Sequence, residues 1–284
     1  MSKKSLPPSE SLDERTLYLS GHAFDILTEP CPYFQISDYL PTAFYEMLTS
    51  TFPDKQYFDF ARADGNLLIT DESAEGFLAD RPAWQKLFDI LASPSFFEDA
   101  LSALGRTPFV RARGPAGLLP MKIQQPGERP GPFTREVAMH TKFSRFDPGT
   151  SLHAHTDQPS TVFTFLLYFP PPEWQPGYGG STELYAPTNR KLLHNWSNNH
   201  LPLKAMESVV RSDYRPNTMF GFLKSTRSWH GVEPVSCPSG ISRNALIVTY
   251  HLTEAMQRRF LFRGVNSFYR RVERPKFRKF GYLD

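Results

Sequence analysis

Residues 151–174 read SLHAHTDQPSTVFTFLLYFPPPEW, and this stretch decides the fold. Val162 to Phe169 forms an apolar, β-branched and aromatic run of eight residues, interrupted only by Thr164, and is closed by three prolines. Such a run bounded by turn residues predicts a strand. It is far short of the ~20 apolar residues that a helical membrane span needs. Similar runs precede and follow it: Leu119–Gln124, Val137–Phe146, Ser181–Tyr185, Thr218–Leu223, Gly231–Val235 and Asn244–His251. The clusters DPG, PPPEWQPGYGG and SCPSG separate them. Many short strands punctuated by Gly/Pro turns predict a mainly β sandwich or barrel. With 24 Phe and 26 Pro in 284 residues, the composition also favours strands and rigid turns over long helices.

Upstream the texture differs. YFQI (33–36) predicts a short strand, TAFYEMLTSTF a helix that starts near Pro41 and stops at Pro53, and residues 83–103 two helices broken around Pro94. The expected organisation is a flexible leader over 1–15, a mostly helical part over 16–118, a β core over 119–252 and a C-terminal extension over 253–284. The segment 188–214 interrupts the strands as a polar and aromatic insertion. Its Trp196, His194, Asn195, Asn198, Asn199 and His200 suit stacking on a sugar or an ordinary solvated loop.

The hydrophobic fraction of 40%, against 21% charged residues and a net charge of +3, excludes disorder for most of the chain. Two cysteines, Cys31 and Cys237, exclude a disulfide framework and a cysteine-based zinc site. With no apolar stretch after the basic start MSKK, a cytoplasmic location is expected. The extension 253–284 carries nine Lys/Arg against three acids, a net +6, which leaves the rest of the chain at −3. Its interleaved aromatics predict a helix that packs on the body and shows its arginines to water. A role for the tail at a membrane surface, or with an anionic substrate, stays open. The slightly acidic body and the lack of a phosphate-binding loop argue against a nucleic-acid protein. Absence of G-x-S-x-G and H-E-x-x-H argues against common hydrolases.

His155-Thr156-Asp157 is the centre of the chemical reading. Residues two apart on a strand share a face, so this imidazole and carboxylate can converge on one ion. A third ligand is needed, and His230 in SWHGVEPV is the best candidate. Two His and one carboxylate with open positions opposite form the facial triad of non-haem iron(II) sites. His22, His140, His194 and His200 read as ordinary core or surface residues.

The order of motifs resembles the Fe(II)/2-oxoglutarate-dependent dioxygenases, in particular their prolyl-hydroxylase-like branch. The chain offers HTD, then FTFLLYFPPPEW, GGSTELY, HGVEPV and RNALIV in the family's order, over about residues 140–252. The resemblance implies a double-stranded β-helix (jelly-roll) core flanked by helices. It also implies iron(II), 2-oxoglutarate and O2 as reagents, with His155, Asp157 and His230 as metal ligands. Arg243 matches the residue that pairs with the distal carboxylate of 2-oxoglutarate, and Tyr168 matches a tyrosine that donates to the same group in some relatives. Pro170 stands where the family has Asn. His153 is an extra histidine near the triad, and Lys142 and Arg145 lie where relatives often contact cosubstrate or substrate. The implied activity is a hydroxylase acting on a small-molecule or peptidyl substrate: sugar, amino acid, peptide or lipid-linked. The alternative is a cupin-like metal-binding isomerase or sugar-binding module without oxygenase chemistry, against which Arg243 argues.

Overall fold

The computed structural model describes residues 12–58, 60–61, 65–105, 121–125, 134–260, 271–273 and 275–277. Two sheets carry the architecture. The larger has the order β1 (Tyr33–Ile36), β10 (Met219–Leu223), β7 (Thr161–Tyr168), β12 (Arg243–Leu252), β5 (Arg135–Phe146), β3 (Asn66–Thr70), β2 (Phe60–Ala61), with β4 (Met121–Ile123) added in parallel to β5. The smaller runs β6 (Leu152–His155), β11 (His230–Val232), β8 (Thr182–Pro187), β9 (Met206–Arg211). The two close on each other as the expected double-stranded β-helix.

Strand β7 is buried at all eight positions because it has a strand on each side and a packed layer on each face. Its alternate side chains serve two cores. Phe163, Phe165 and Leu167 point to the outer face with Phe143, Leu246, Val248 and Tyr250. Leu166 and Tyr168 point between the sheets with Phe220, Phe222 and Ala245.

Helices α1 (Thr42–Ser50), α2 (Asp71–Leu78), α3 (Pro82–Leu91) and α4 (Pro94–Gly105) accompany the outer face. α3 shows why: Pro82 occupies its first turn, and Trp84, Leu87, Ile90 and Leu91 form one apolar stripe, all buried. Trp84 meets Phe143 edge-on, 4.8 Å between centroids, and also contacts Phe169, tying the helical layer to β5 and to the end of β7. Pro94 opens α4, and the expected break between two helices is there.

Three differences from the sequence reading have physical reasons. Residues 16–118 supply, besides the expected strand β1, the strands β2 and β3, each too short to show a period in sequence but paired to the large sheet. The strand expected to carry both His155 and Asp157 is β6, which ends at His155, so Asp157 reaches the histidine from a turn rather than from the same strand face. The segment 188–214 holds a strand, β9, paired to β8 as an exposed edge. In the extension, α5 (Glu254–Phe260) follows β12, residues 271–273 and 275–277 are helical, and Glu273 and Phe277 are buried. The leader up to residue 11 and the other residues of the tail lie outside the described residues. Among the described residues no helix is long and apolar enough to cross a membrane.

Candidate metal centre

His155 ends β6 and His230 begins β11, and the two are direct partners in the antiparallel register. Asp157 follows in the turn after β6 with φ +63°, a left-handed conformation that Asp tolerates better than most residues and that brings its carboxylate back to the histidines. Its Oδ1 lies 3.4 Å from His155 Nε2 and 3.5 Å from His230 Nε2. All three ligand atoms fall within 4.8 Å of one another.

The second nitrogen of each ring fixes the tautomer. His155 Nδ1 is 3.1 Å from the His153 carbonyl, and His230 Nδ1 is 2.9 Å from the Ser228 carbonyl. A carbonyl only accepts, so both Nδ1 atoms carry the proton and both Nε2 atoms present lone pairs. Burial, and then the neighbouring His230, lower the His155 pKa below the ordinary histidine value, which favours the neutral ring. Asp157 is held well below the carboxylate range. Burial opposes this, but the two neighbouring histidines outweigh it. Thr164 on β7 donates to Asp157 Oδ2 at 3.1 Å and orients the carboxylate. Two imidazole nitrogens and one carboxylate oxygen thus converge on one point. That donor set fits a divalent cation of the borderline type that imidazole and carboxylate share.

Arg243 is fully buried at the start of β12. Its Nε donates to the Gly180 carbonyl at 2.5 Å and its Nη2 to Thr182 Oγ1 at 3.0 Å. Nη1 has no hydrogen-bond partner. Tyr168 and Tyr214 flank the guanidinium, with ring centroids 5.5 and 5.2 Å away. The Tyr168 and Ser212 hydroxyls are 2.8 Å apart, and Tyr214 Oη donates to the Asn244 carbonyl. Gly180 has φ +76°, and a Cβ there would crowd both Trp174 and the Arg243 side chain, which accounts for a glycine in GGSTELY. Thr182 stands across from Val232, two residues along β11 from His230, an offset of about 7 Å at the usual strand rise. A buried cation with one orphan donor fits a carboxylate, whose lost hydration a charge-assisted hydrogen bond offsets.

Other expected residues fall elsewhere. Lys142 shares the inner face of β5 with Ser144 and Phe146, whereas Arg145 faces the other way and binds Asp147 at 3.2 Å. Asn195 and Asn199 are buried and hydrogen-bonded to each other, so they are neither a solvated loop nor a sugar surface. His200, read as ordinary, stacks parallel on His155 with centroids 4.9 Å apart. Thr164, Thr182, Ser212, Tyr214 and Phe222, whose ring is 4.4 Å from that of His230, were not singled out from sequence.

Residues 141–251 match the family model described as the 2OG-Fe(II) oxygenase superfamily. No curated protein matches the chain. Among solved structures, a prolyl 4-hydroxylase from Phytophthora capsici shares the fold, with TM-score 0.52 and 14% identity over 94% of this chain and 79% of that one. A Trichoplax adhaerens prolyl hydroxylase in complex with a hypoxia inducible factor peptide fragment aligns at TM-score 0.48 and 13% identity, over 80% and 86% of the two chains. For a Pseudomonas putida prolyl-4-hydroxylase the values are 0.41 and 16%, over 82% and 95%.

Proposed function

Residues 141–251 place the chain in the 2OG-Fe(II) oxygenase superfamily, and on that premise we propose that it hydroxylates an unactivated C–H bond of a small-molecule or peptidyl substrate. The chain is an iron(II)- and 2-oxoglutarate-dependent dioxygenase with O2 as the third reagent. When bound, iron(II) with 2-oxoglutarate supplies the oxidising power, coupling decarboxylation of the keto acid to transfer of one oxygen atom.

The single observation that supports the assignment of His155, Asp157 and His230 as ligands is the convergence of their three donor atoms within 4.8 Å of one another. Three protein ligands would leave the open positions of the metal to cosubstrate and O2, with the substrate held beside it. Arg243 holds the tail of 2-oxoglutarate through Nη1, while Gly180 and Thr182 keep the guanidinium plane fixed. The Tyr168 hydroxyl, next to Arg243 and bonded to Ser212, is the second donor to that tail. Phe222, Leu166 and Ile247 exclude water from the inner face of the sheet, where an oxidising site must be dry. Because Asp157 fills the third protein position with an oxygen ligand, that position is closed to chloride, and the product is an alcohol or an oxidation derived from it.

The test is succinate release screened with pools of sugars, amino acids and peptides. It should require iron(II) and nearly vanish in Asp157→Ala; full turnover by that variant would remove the carboxylate from the ligand set. With the substrate in hand, mass spectrometry in chloride buffer should show addition of one oxygen atom, and a chlorinated product would overturn hydroxylation.

A further inference from the structure

We propose that Glu273 in the C-terminal extension is a positioning residue for the metal triad, acting through a clasp on residues 194–201. The inference rests on the reading of His155, Asp157 and His230 as ligands. Glu273 lies outside the segment that matches the family, so its contacts belong to this chain's own extension.

Only 8% exposed, the Glu273 carboxylate accepts the Trp196 N–H at 2.9 Å and the Ser197 N–H at 2.9 Å, with the Asn199 amide at 3.4 Å. One helical turn on, buried Phe277 packs on Trp229 with centroids 5.9 Å apart. Trp229 precedes His230 and donates its indole N–H to the Leu193 carbonyl at 3.0 Å. The extension therefore holds both the clasped segment and the residue before the third ligand.

The clasped segment in turn grips the residue between the first two ligands. The Thr156 N–H donates to Asn198 Oδ1 at 3.3 Å, and the Thr156 hydroxyl donates to the Asn195 carbonyl at 3.0 Å. Ala154 and Leu201 exchange both backbone hydrogen bonds, at 3.0 and 2.9 Å. Asn195 and Asn199 lock the intervening turn by three mutual bonds of 2.8–3.0 Å. The outcome is the His200 ring lying flat on His155 at 4.9 Å, which restricts the ligand ring from its outer side. A continuous path of hydrogen bonds thus runs from Glu273 to Thr156. Loss of Glu273 leaves every ligand in the sequence but removes part of the order they have before the ion arrives.

Cobalt(II) titration of the metal-stripped full chain, followed by calorimetry and by visible absorption, tests this together with amide hydrogen exchange. Glu273→Ala should weaken cobalt(II) binding about tenfold, within the range for residues that support metal ligands from behind. The absorption bands should keep their shape, because the ligands are unchanged, and the amides of Thr156, Trp196 and Ser197 should lose protection. Glu273→Gln retains one acceptor oxygen and should fall between; it also serves if the alanine variant does not fold. Val272→Ala, at an exposed neighbouring position, should bind as the natural protein does. Natural affinity in Glu273→Gln despite faster exchange at Trp196 and Ser197 would overturn the clasp. His155→Ala separates the two readings. If it loses cobalt(II) while Glu273→Ala does not, the clasp alone fails; if it binds cobalt(II) normally, the metal reading fails with it.

Discussion

Arg243 and Phe146 face each other across the β12–β5 pair, and the guanidinium carbon lies 5.3 Å from the centre of the phenyl ring. With Tyr168 and Tyr214 on its other sides, Arg243 is a cation in an aromatic box, and burial lowers its pKa from the ordinary arginine value. The guanidinium still stays charged at any working pH. Replacing Arg243 by Ala should cost 2-oxoglutarate about 1.5–3 kcal/mol, roughly ten- to hundredfold in affinity, the range for a charge-assisted hydrogen bond. Cobalt(II) binding should change little. Arg243→Lys should not restore the loss, because an ammonium cannot hold Gly180 and Thr182 and still offer a donor in the same plane. Calorimetry of 2-oxoglutarate against the cobalt(II)-loaded variants checks both. Unchanged affinity in Arg243→Ala moves the cosubstrate clamp to another residue, with Lys142 next.

Gly231 sits between His230 and Val232 on β11, where an added Cβ would strike the Leu152 carbonyl oxygen of β6. Backbone cannot yield as a flexible side chain does, so Gly231→Ala should push β11 from β6 and separate His230 from His155. A loss of about 1–3 kcal/mol is expected from overcrowding. Thermal melting should show it, and cobalt(II) affinity should fall in the same variant. A variant with natural melting temperature and natural affinity would contradict the close approach.

Asp147 joins the strands by accepting from Lys55 at 2.6 Å, Arg145 at 3.2 Å and the Ser242 hydroxyl at 2.8 Å. Burial raises its pKa, but these donors outweigh burial and the net shift is downward. A carboxyl whose pKa is lower folded than unfolded stabilises the fold above its unfolded pKa, and this contribution is lost as pH falls through the folded one. Asp147→Asn should therefore lower the melting temperature near neutral pH, and the difference from the natural protein should shrink in acid. Lys55 is largely exposed, so its share is small and screened by salt. A difference that does not vary with pH would make the contribution purely one of packing.

Burial pushes the Cys31 thiol up to about 12, against the opposing pull of Arg227 and Lys224. Almost none of it is thiolate at neutral pH. Iodoacetamide should leave Cys31 unmodified in the folded protein and alkylate it in denaturant, as peptide mass mapping would show. Rapid labelling of the folded chain would place that thiol at the surface.

The cluster of His155, Asp157 and His230 was legible because each part sits in a short motif, H-x-D at the end of β6 and the histidine that opens HGVEPV. Arg243 was legible as the first residue of a long apolar strand. What surrounds them was not. Ser212 and Tyr214 come from a polar stretch with no period, and they reach Arg243 only because β9 folds back on β8. His200 has no motif; it meets His155 through the Ala154–Leu201 bridge. Tyr168 could be read equally as core, and it is buried in the strand with its hydroxyl against that of Ser212. Strands β2 and β3 owe their form to the edge of the large sheet rather than to their own composition, so a helical reading of that region was natural.

The pairing of β6 with β11 has a bearing on how the protein comes into being. His155 and His230 touch across two strands although 75 residues separate them along the chain. A nascent polypeptide that has emerged only as far as β9 holds two of the three donors and no place for the third. Ion capture thus waits until the loop before β11 has closed, at the entropic expense that such a long loop entails. On the ligand assignment proposed above, the metal would bind a completed site rather than nucleate it. A chain folded without the ion would present the same three donors to any divalent cation that imidazole and carboxylate suit.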